Sequence, residues 1–313
     1  LTEKEWKIEL GSVSVIIPVY NRVKSIGRAL DSVLKQTYQP KEIIVVDDGS
    51  TDGTVDYIRE NYPQVTVLTQ ANQVPSAARN RGIAHSTGEW VALLDSDDIW
   101  LPDKLRAQVQ IIEKNPGLGM IGSRRYKNCY DYDEQVVKRP VARAVSFFHF
   151  LKQTTCHTST VLLRREALEK VGLFDEKLPA AEDVDLWVRI AYYYKVVQVR
   201  QHLTAVFVSK DSISLSRKKT YYYDLHVLAK WDPGQPDTLD VEKRISPIKY
   251  RRIVFNNTLL RAWRLYKHCG QAEANEFLAH AREILGLSLI GMEAISGYLR
   301  LRGLRLNHKT PIK

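Results

Sequence analysis

The chain has 313 residues, 44% hydrophobic and 26% charged, with a formal net charge of +10. That is enough chain for one large domain with an appendage, or for two domains. No run of about 18 apolar residues occurs, so no membrane-spanning helix is expected, and the N-terminus lacks the basic-then-apolar layout of a secretory leader.

Cys129, Cys156 and Cys269 are far apart, odd in number and without paired metal-ligand spacing, which points to a reduced cytoplasmic setting. The charge is uneven. Between Val241 and Lys313 there are 14 Lys/Arg against 5 Asp/Glu, so the C-terminal quarter carries nearly all the excess. Such a surface attracts nucleic acid, anionic lipid or an acidic substrate.

Ser12 to Pro18 is a β-branched run of buried-strand type, and after Tyr20-Asn21 the residues Ile26, Leu30, Val33 and Leu34 recur at helical spacing. Glu42 to Val46 predicts a second strand, ending in Asp47-Asp48-Gly49-Ser50, with a helical face from Val55 towards Pro63. Val65 to Leu68 predicts a third strand, Ser76 to Ser86 a small-residue helix and Trp90 to Leu94 a fourth strand. Short apolar strands alternating with helices imply an α/β fold with a mostly parallel sheet covered on both faces. In such sheets ligands bind outside the carboxyl ends of the strands, near the point where strand order reverses.

The fourth strand runs directly into Asp95, Asp97 and Asp98, and Pro102 stands where a first helical turn would begin. A helix is expected over Lys104 to Glu113, a strand over Gly119 to Ser123, and loop or short antiparallel strands over Lys127 to Arg143. Ser159 to Leu163 reads as a strand and Arg165 to Val171 as a short helix. Glu182, Asp183 and Asp185 open another helix, where exposed N–H groups favour acids. Val196 to Val199 and Thr204 to Val208 read as closing strands. Helical patterns then cover Tyr222 to Lys230, Pro247 to Cys269 and Glu273 to Leu285, with a Pro/Gly/Asp-rich break at Asp232 to Asp240. The segment Leu287 to Leu306 pairs leucines and isoleucines with Arg300, Arg302 and Arg305, which suits packing on the domain or lying in a membrane interface.

Acids spaced by one residue at a strand end suit a hard divalent cation such as Mg²⁺ or Mn²⁺; they equally suit a capping turn. Asp47-Asp48-Gly49-Ser50 is either an Asx bend or a carboxylate that accepts from a ligand N–H or sugar hydroxyl. Arg79 is open to a phosphate-facing role or a plain surface role, and His157, flanked by polar residues, to a structural role or substrate contact. No Gly-x-Ser-x-Gly elbow, Walker loop or Gly-x-Gly-x-x-Gly is present.

Four segments together, VSVIIPVYNR at 13–22, SVLKQTYQPKEIIVVDDGSTDGT at 32–54, SAARNRGIAHSTGEWVALLDSDDIWLPDKL at 76–105 and AEDVDLW at 181–187, resemble the family 2 glycosyltransferases. The resemblance covers roughly residues 12 to 210. It implies a GT-A fold, Rossmann-like with a mostly parallel sheet, over residues 1–220, while the charge and helical pattern make 221–313 a basic helical C-terminal region that associates with membrane or only packs. It implies a nucleotide pocket edged by Pro18, Tyr20 and Asn21, with Asp48 accepting from the uracil N–H and Arg79 on the uracil and diphosphate side. Asp95-Ser96-Asp97 resembles the DxD motif, with Asp97 the main metal contact and Asp95 near the ribose or sugar. Glu182-Asp183 resembles the acidic pair whose Asp is the general base, with Asp185 the alternative base, Trp187 stacking on an acceptor sugar and His157 on the substrate side.

The implied activity is metal-dependent, Mn²⁺ or Mg²⁺, inverting transfer from a nucleotide-sugar, expected to be a UDP-sugar, to a glycan or lipid-linked acceptor. The expected setting is cytoplasmic, including the inner face of a bacterial membrane, whose anionic surface is a partner for the basic region. Nucleic acid is not an expected partner, since no recognition motif accompanies the charge. The membrane spans and the Gln/Arg-rich motif of processive synthases are absent, with Arg261-Ala262-Trp263 a distant echo, which favours single addition. A metal-dependent nucleotidyltransferase and a non-catalytic carbohydrate- or membrane-binding protein are the alternatives.

Overall fold

The computed structural model describes residues 11–127, 137–152, 156–207, 217–232 and 246–285. Cys129, most of the Asp232 to Asp240 break and the Leu287 to Leu306 segment lie outside them. The chain divides into two compact units, Leu1–Ser212 and Ile213–Lys313, eight residues before the boundary expected from the sequence.

In the first unit, β1 (Val13–Val19), α1 (Ile26–Leu34), β2 (Glu42–Asp47), α2 (Thr54–Asn61), β3 (Thr66–Thr69), α3 (Pro75–His85) and β4 (Trp90–Leu93) alternate as the apolar pattern predicts. The chain continues through β5 (Ile99–Trp100), α4 (Lys104–Ile112), β6 (Leu118–Lys127), β7 (Ala142–Ala144) and α5 (Phe147–Lys152). A 3-10 turn at Thr158–Thr160 precedes β8 (Leu162–Arg164), α6 (Arg165–Val171), α7 (Glu182–Tyr193) and β9 (Lys195–Val206). One sheet runs in the order β3-β2-β1-β4-β8-β6-β9-β5, with β7 beside β9. The first four strands are mutually parallel, and β8 enters antiparallel to both β4 and β6.

Period-two alternation explains why β1 is buried on both faces. Val13, Val15 and Ile17 join the core that contains Ile26, Ala29, Leu30 and Val33 of α1. Ile16 and Val46 point the other way, against α3. There Gly82 is packed so closely that a Cβ would collide with Ile16 Cγ2, so the missing side chain sets the helix-to-sheet distance. Each such buried Ile or Val contributes about 1.5–3 kcal/mol.

Because β2 and β4 flank β1 on opposite sides, strand order reverses at β1, and the loops after β1, β2 and β4 open on one rim. Two expectations for the closing strands change. Val196 to Val199 and Thr204 to Val206 belong to a single strand, β9, because the polar stretch between them still pairs with β6 across two register shifts, and Val208 lies outside the described residues. Ser159 to Leu163 is split between the 3-10 turn and β8. The second unit contains α8 (Arg217–Ala229), α9 (Pro247–Cys269) and α10 (Gln271–Leu285), with the α9 bounds matching those read from the sequence.

Candidate active site

One wall of the rim is built from the loops after β1 and β2. Asn21 takes a left-handed backbone, φ 50°, which Asn tolerates better than most residues. In that conformation its N–H donates to Ser50 Oγ at 2.8 Å, and its Oδ1 accepts from Thr51 N at 2.8 Å. Asp47 accepts from Gly49 N and Ser50 N, so it forms the Asx bend. Asp48 is engaged through one oxygen. Its Oδ1 accepts from Gln70 Nε2 and Gln73 N, while Oδ2 has no hydrogen-bond partner among the described residues. Pro18 is partly exposed and Tyr20 is 47% exposed, which leaves an aromatic ring at the rim.

The acids after β4 divide into distinct environments. Asp98 is buried, accepting from Ser159 Oγ and from Phe207 N at 3.0 Å, so it ties the β4–β5 junction to the end of β9. Burial and the nearby Asp95 charge hold its carboxyl well above the usual range. Asp97 is half-buried, and burial together with Asp95 pushes its pKa up; Arg22 and Arg28 are the guanidinium groups that oppose this. Asp95 raises the proton affinity of Asp97, and a divalent cation beside the two carboxylates would relieve that repulsion, so these oxygen donors fit the hard cation expected there. Ser96 is buried between them.

Arg79 unites this segment with α7. Its side chain is 7% exposed; Nη2 donates to Asp95 Oδ1 at 2.9 Å and Nη1 to Glu182 Oε1 at 3.0 Å. Burial opposes its charge, but Asp95 and Glu182 outweigh that and raise its pKa. Burial likewise works against ionised Asp95, and the guanidinium holds Asp95 below the usual carboxylate range. Arg79 is therefore not a surface side chain, and both of its terminal nitrogens are on carboxylates. Its neighbour Asn80 pins the segment leading to α7, donating to Phe174 O at 3.0 Å and accepting from Phe174 N at 3.0 Å.

Helix α7 begins after Ala181, whose φ of 60° is strained for a residue with a side chain. Glu182, Asp183 and Asp185 occupy its first turn. Asp183 is half-exposed, with Oδ1 accepting from Val184 N at 2.8 Å. Asp185 differs from its expected alternative role as base. It is 1% exposed and held by Arg189 at 2.8 and 2.9 Å, and Arg189 also donates to the carbonyls of Val171 and Leu173. A carboxylate closed in this way positions the helix and does not meet a substrate. Trp187 also departs from expectation: it is fully buried, its ring meeting Phe174 edge-on at 6.0 Å, so it cannot stack on a sugar. Trp187→Ala should cost about 3–5 kcal/mol of stability, as large-to-small core changes do, read as a lowered melting temperature.

Asp95, Asp98 and His157 form a cluster whose ligand-capable atoms lie within 4.8 Å of one another. Burial pushes the His157 imidazole down to about 4, against the opposing pull of Asp95, so the ring is neutral near pH 7. It caps the 3-10 turn, accepting from Ser159 N. Arg125 of β6 is exposed, and Asp98 and Asp183 are the acids whose charge acts on it. No local pattern marks it, because its position depends on β6 pairing with β8 and β9.

The family model for Glycosyl transferase family 2 matches residues 14–172, and that for Glycosyltransferase like family 2 matches 124–224. A Rickettsia felis protein named uncharacterized glycosyltransferase is 31% identical over 234 residues, 71% of this chain and 38% of the relative. The chain spans 30–38% of the length of three such Rickettsia relatives. Among solved structures, S. aureus TarS 1-349 in complex with UDP-GlcNAc is similar with a TM-score of 0.66 at 17% identity, over 96% of this chain and 98% of that one. The mannosyltransferase PcManGT from Pyrobaculum calidifontis, in complex with GDP-Man and Mn²⁺, gives 0.60 at 23% identity, over 97% and 85%. At these identities the likeness establishes the shared fold. With the family model spanning half its length, the chain belongs to glycosyl transferase family 2 and has the GT-A fold.

Proposed function

We propose that the protein transfers a sugar from a UDP-sugar to a hydroxyl of a glycan or lipid-linked acceptor, with inversion at the anomeric carbon and with divalent-metal assistance. The observation that carries this reading is the Arg79 bridge, 2.9 Å to Asp95 and 3.0 Å to Glu182, which puts the DxD-like acids and the acidic start of α7 in one site. Support for the donor comes from the shared fold with TarS bound to UDP-GlcNAc; support for the metal comes from the PcManGT complex with Mn²⁺.

In this reading Asp48 accepts the uracil N–H through Oδ2, with Tyr20 and Asn21 at the base. Asp95 and Asp97 hold the cation, which when bound supplies positive charge to the leaving diphosphate. Arg22 and Arg28, the cations acting on Asp97, add to that field. Asp183 takes the acceptor's proton as the acceptor oxygen bonds to the anomeric carbon. The bond from that carbon to the diphosphate breaks, and its electron pair leaves with the nucleotide. Arg79 orients the acids and stays paired throughout.

A panel of UDP-, GDP- and dTDP-sugars, each with and without Mn²⁺, tests the proposal through nucleotide release. UDP release that depends on Mn²⁺ is expected. Release of pyrophosphate from a nucleoside triphosphate instead would move the protein to nucleotidyl transfer, and no turnover with any donor would make it a binding protein.

A further inference from the structure

We propose that the exposed face of α9 is a docking surface for an anionic lipid bilayer, which deepens the lipid-linked acceptor reading by giving the enzyme a place to sit beside such an acceptor. The 23 residues of α9 include no Asp or Glu. Its cations are sorted by direction. Arg261 faces inward and is matched, with Nε and Nη2 donating to Asp224 Oδ2 at 3.0 and 2.7 Å. Lys249, Arg251, Arg252, Arg264 and Lys267 are exposed, and Arg251, Arg252 and Arg264 have no ion-pair partner among the described residues.

Large apolar groups share this surface. Ile248 is 81% exposed, Leu260 39% and Trp263 36%. At about 100° per residue, Ile248, Arg252, Leu260, Trp263 and Lys267 fall within roughly one third of the helix circumference, so they form one stripe. The opposite side, including Tyr250, Val254 and Leu265, is buried. Trp263 and Lys267 are one turn apart, with the ammonium 5.5 Å from the ring centroid.

Charge complementarity selects an anionic partner, and the interleaved apolar side chains select among anionic partners. A nucleic acid or an acidic glycan would engage the Lys and Arg side chains but leave Ile248, Leu260 and Trp263 in water. A bilayer interface accepts both, with aromatic and aliphatic groups at the headgroup boundary and long basic side chains reaching the phosphates. The helix is about 34 Å long at 1.5 Å per residue, and no helix of the described residues is long and apolar enough to cross a membrane, so the contact is along the surface.

The test is cosedimentation of the full chain with vesicles of phosphatidylcholine alone or of phosphatidylcholine with one quarter phosphatidylglycerol. Binding to the anionic vesicles alone is expected, weakening as salt is raised. Arg252→Glu with Arg264→Glu should reduce it at least about tenfold, and Trp263→Ser about threefold, with melting temperature and Mn²⁺-dependent UDP affinity unchanged. Undiminished vesicle binding by these variants overturns the proposal. So does loss of heparin or RNA binding in the charge-reversal variant while vesicle binding persists. Loss of UDP binding in the wild type would instead count against the catalytic reading and leave the vesicle result to stand by itself.

Discussion

Asp183→Asn should lower sugar transfer by roughly 10²- to 10⁴-fold while UDP affinity stays within about twofold of wild type, the signature of a lost general base. The reason is geometric. In the proposed mechanism the base is Asp183: among the acids opening α7, Glu182 is on Arg79 and Asp185 is buried against Arg189, whereas Asp183 is partly exposed. Asparagine keeps the shape and the acceptor oxygen that Val184 N uses, but removes the basicity. Steady-state transfer and UDP titration on the same protein separate this from misfolding. Near-normal transfer by Asp183→Asn would move the base elsewhere.

Arg79→Met is expected to lower stability at pH 7 by about 3–5 kcal/mol, because removing one member of a buried ion-pair network leaves its partners uncompensated. Lysine should not restore the protein fully, since one ammonium cannot reproduce the fork that reaches Asp95 and Glu182 together. The sign of the pH dependence follows from Asp95, whose folded-state pKa is depressed by Arg79. Its contribution is present above the unfolded carboxylate pKa and is lost as pH falls through the lower folded value. The gap between wild type and variant should therefore be full at pH 7 and narrow as the pH drops below about 4. Thermal melts without donor decide the matter. If Arg79 instead served a phosphate, the variant would melt like wild type and lose only donor affinity.

The parallel half of the sheet was legible in the sequence because its strands are continuous apolar runs and its helices are amphipathic, both local signals. The carboxyl-end acids were legible for the same reason. What was not legible depends on distant pairing. β5 is two residues long and exists through Ala205 and Thr204 of β9, so nothing near Ile99 announces it. β7 is likewise defined by β9. Arg79 was open between surface and phosphate because its partners are 16 and 103 residues away. Two misreadings had signals that were present. Asp185 and Arg189 are four apart, the spacing of a pair on one helix face, and Trp187 sits between Leu186 and Val188 in an apolar stretch that the helix buries. His157 is open in the sequence between a structural role and substrate contact, and its cap of the 3-10 turn with Asp95 and Asp98 nearby appears only when β8 is laid beside β4.

In the proposed mechanism the acids following β4 receive a nucleoside diphosphate together with a cation. Calorimetric titration of UDP into wild type and Asp97→Ala, each with and without Mn²⁺, tests it most directly. Mn²⁺ should tighten UDP binding by the wild type and have no such effect on the variant. Mn²⁺-dependent affinity that survives intact in Asp97→Ala would contradict the account.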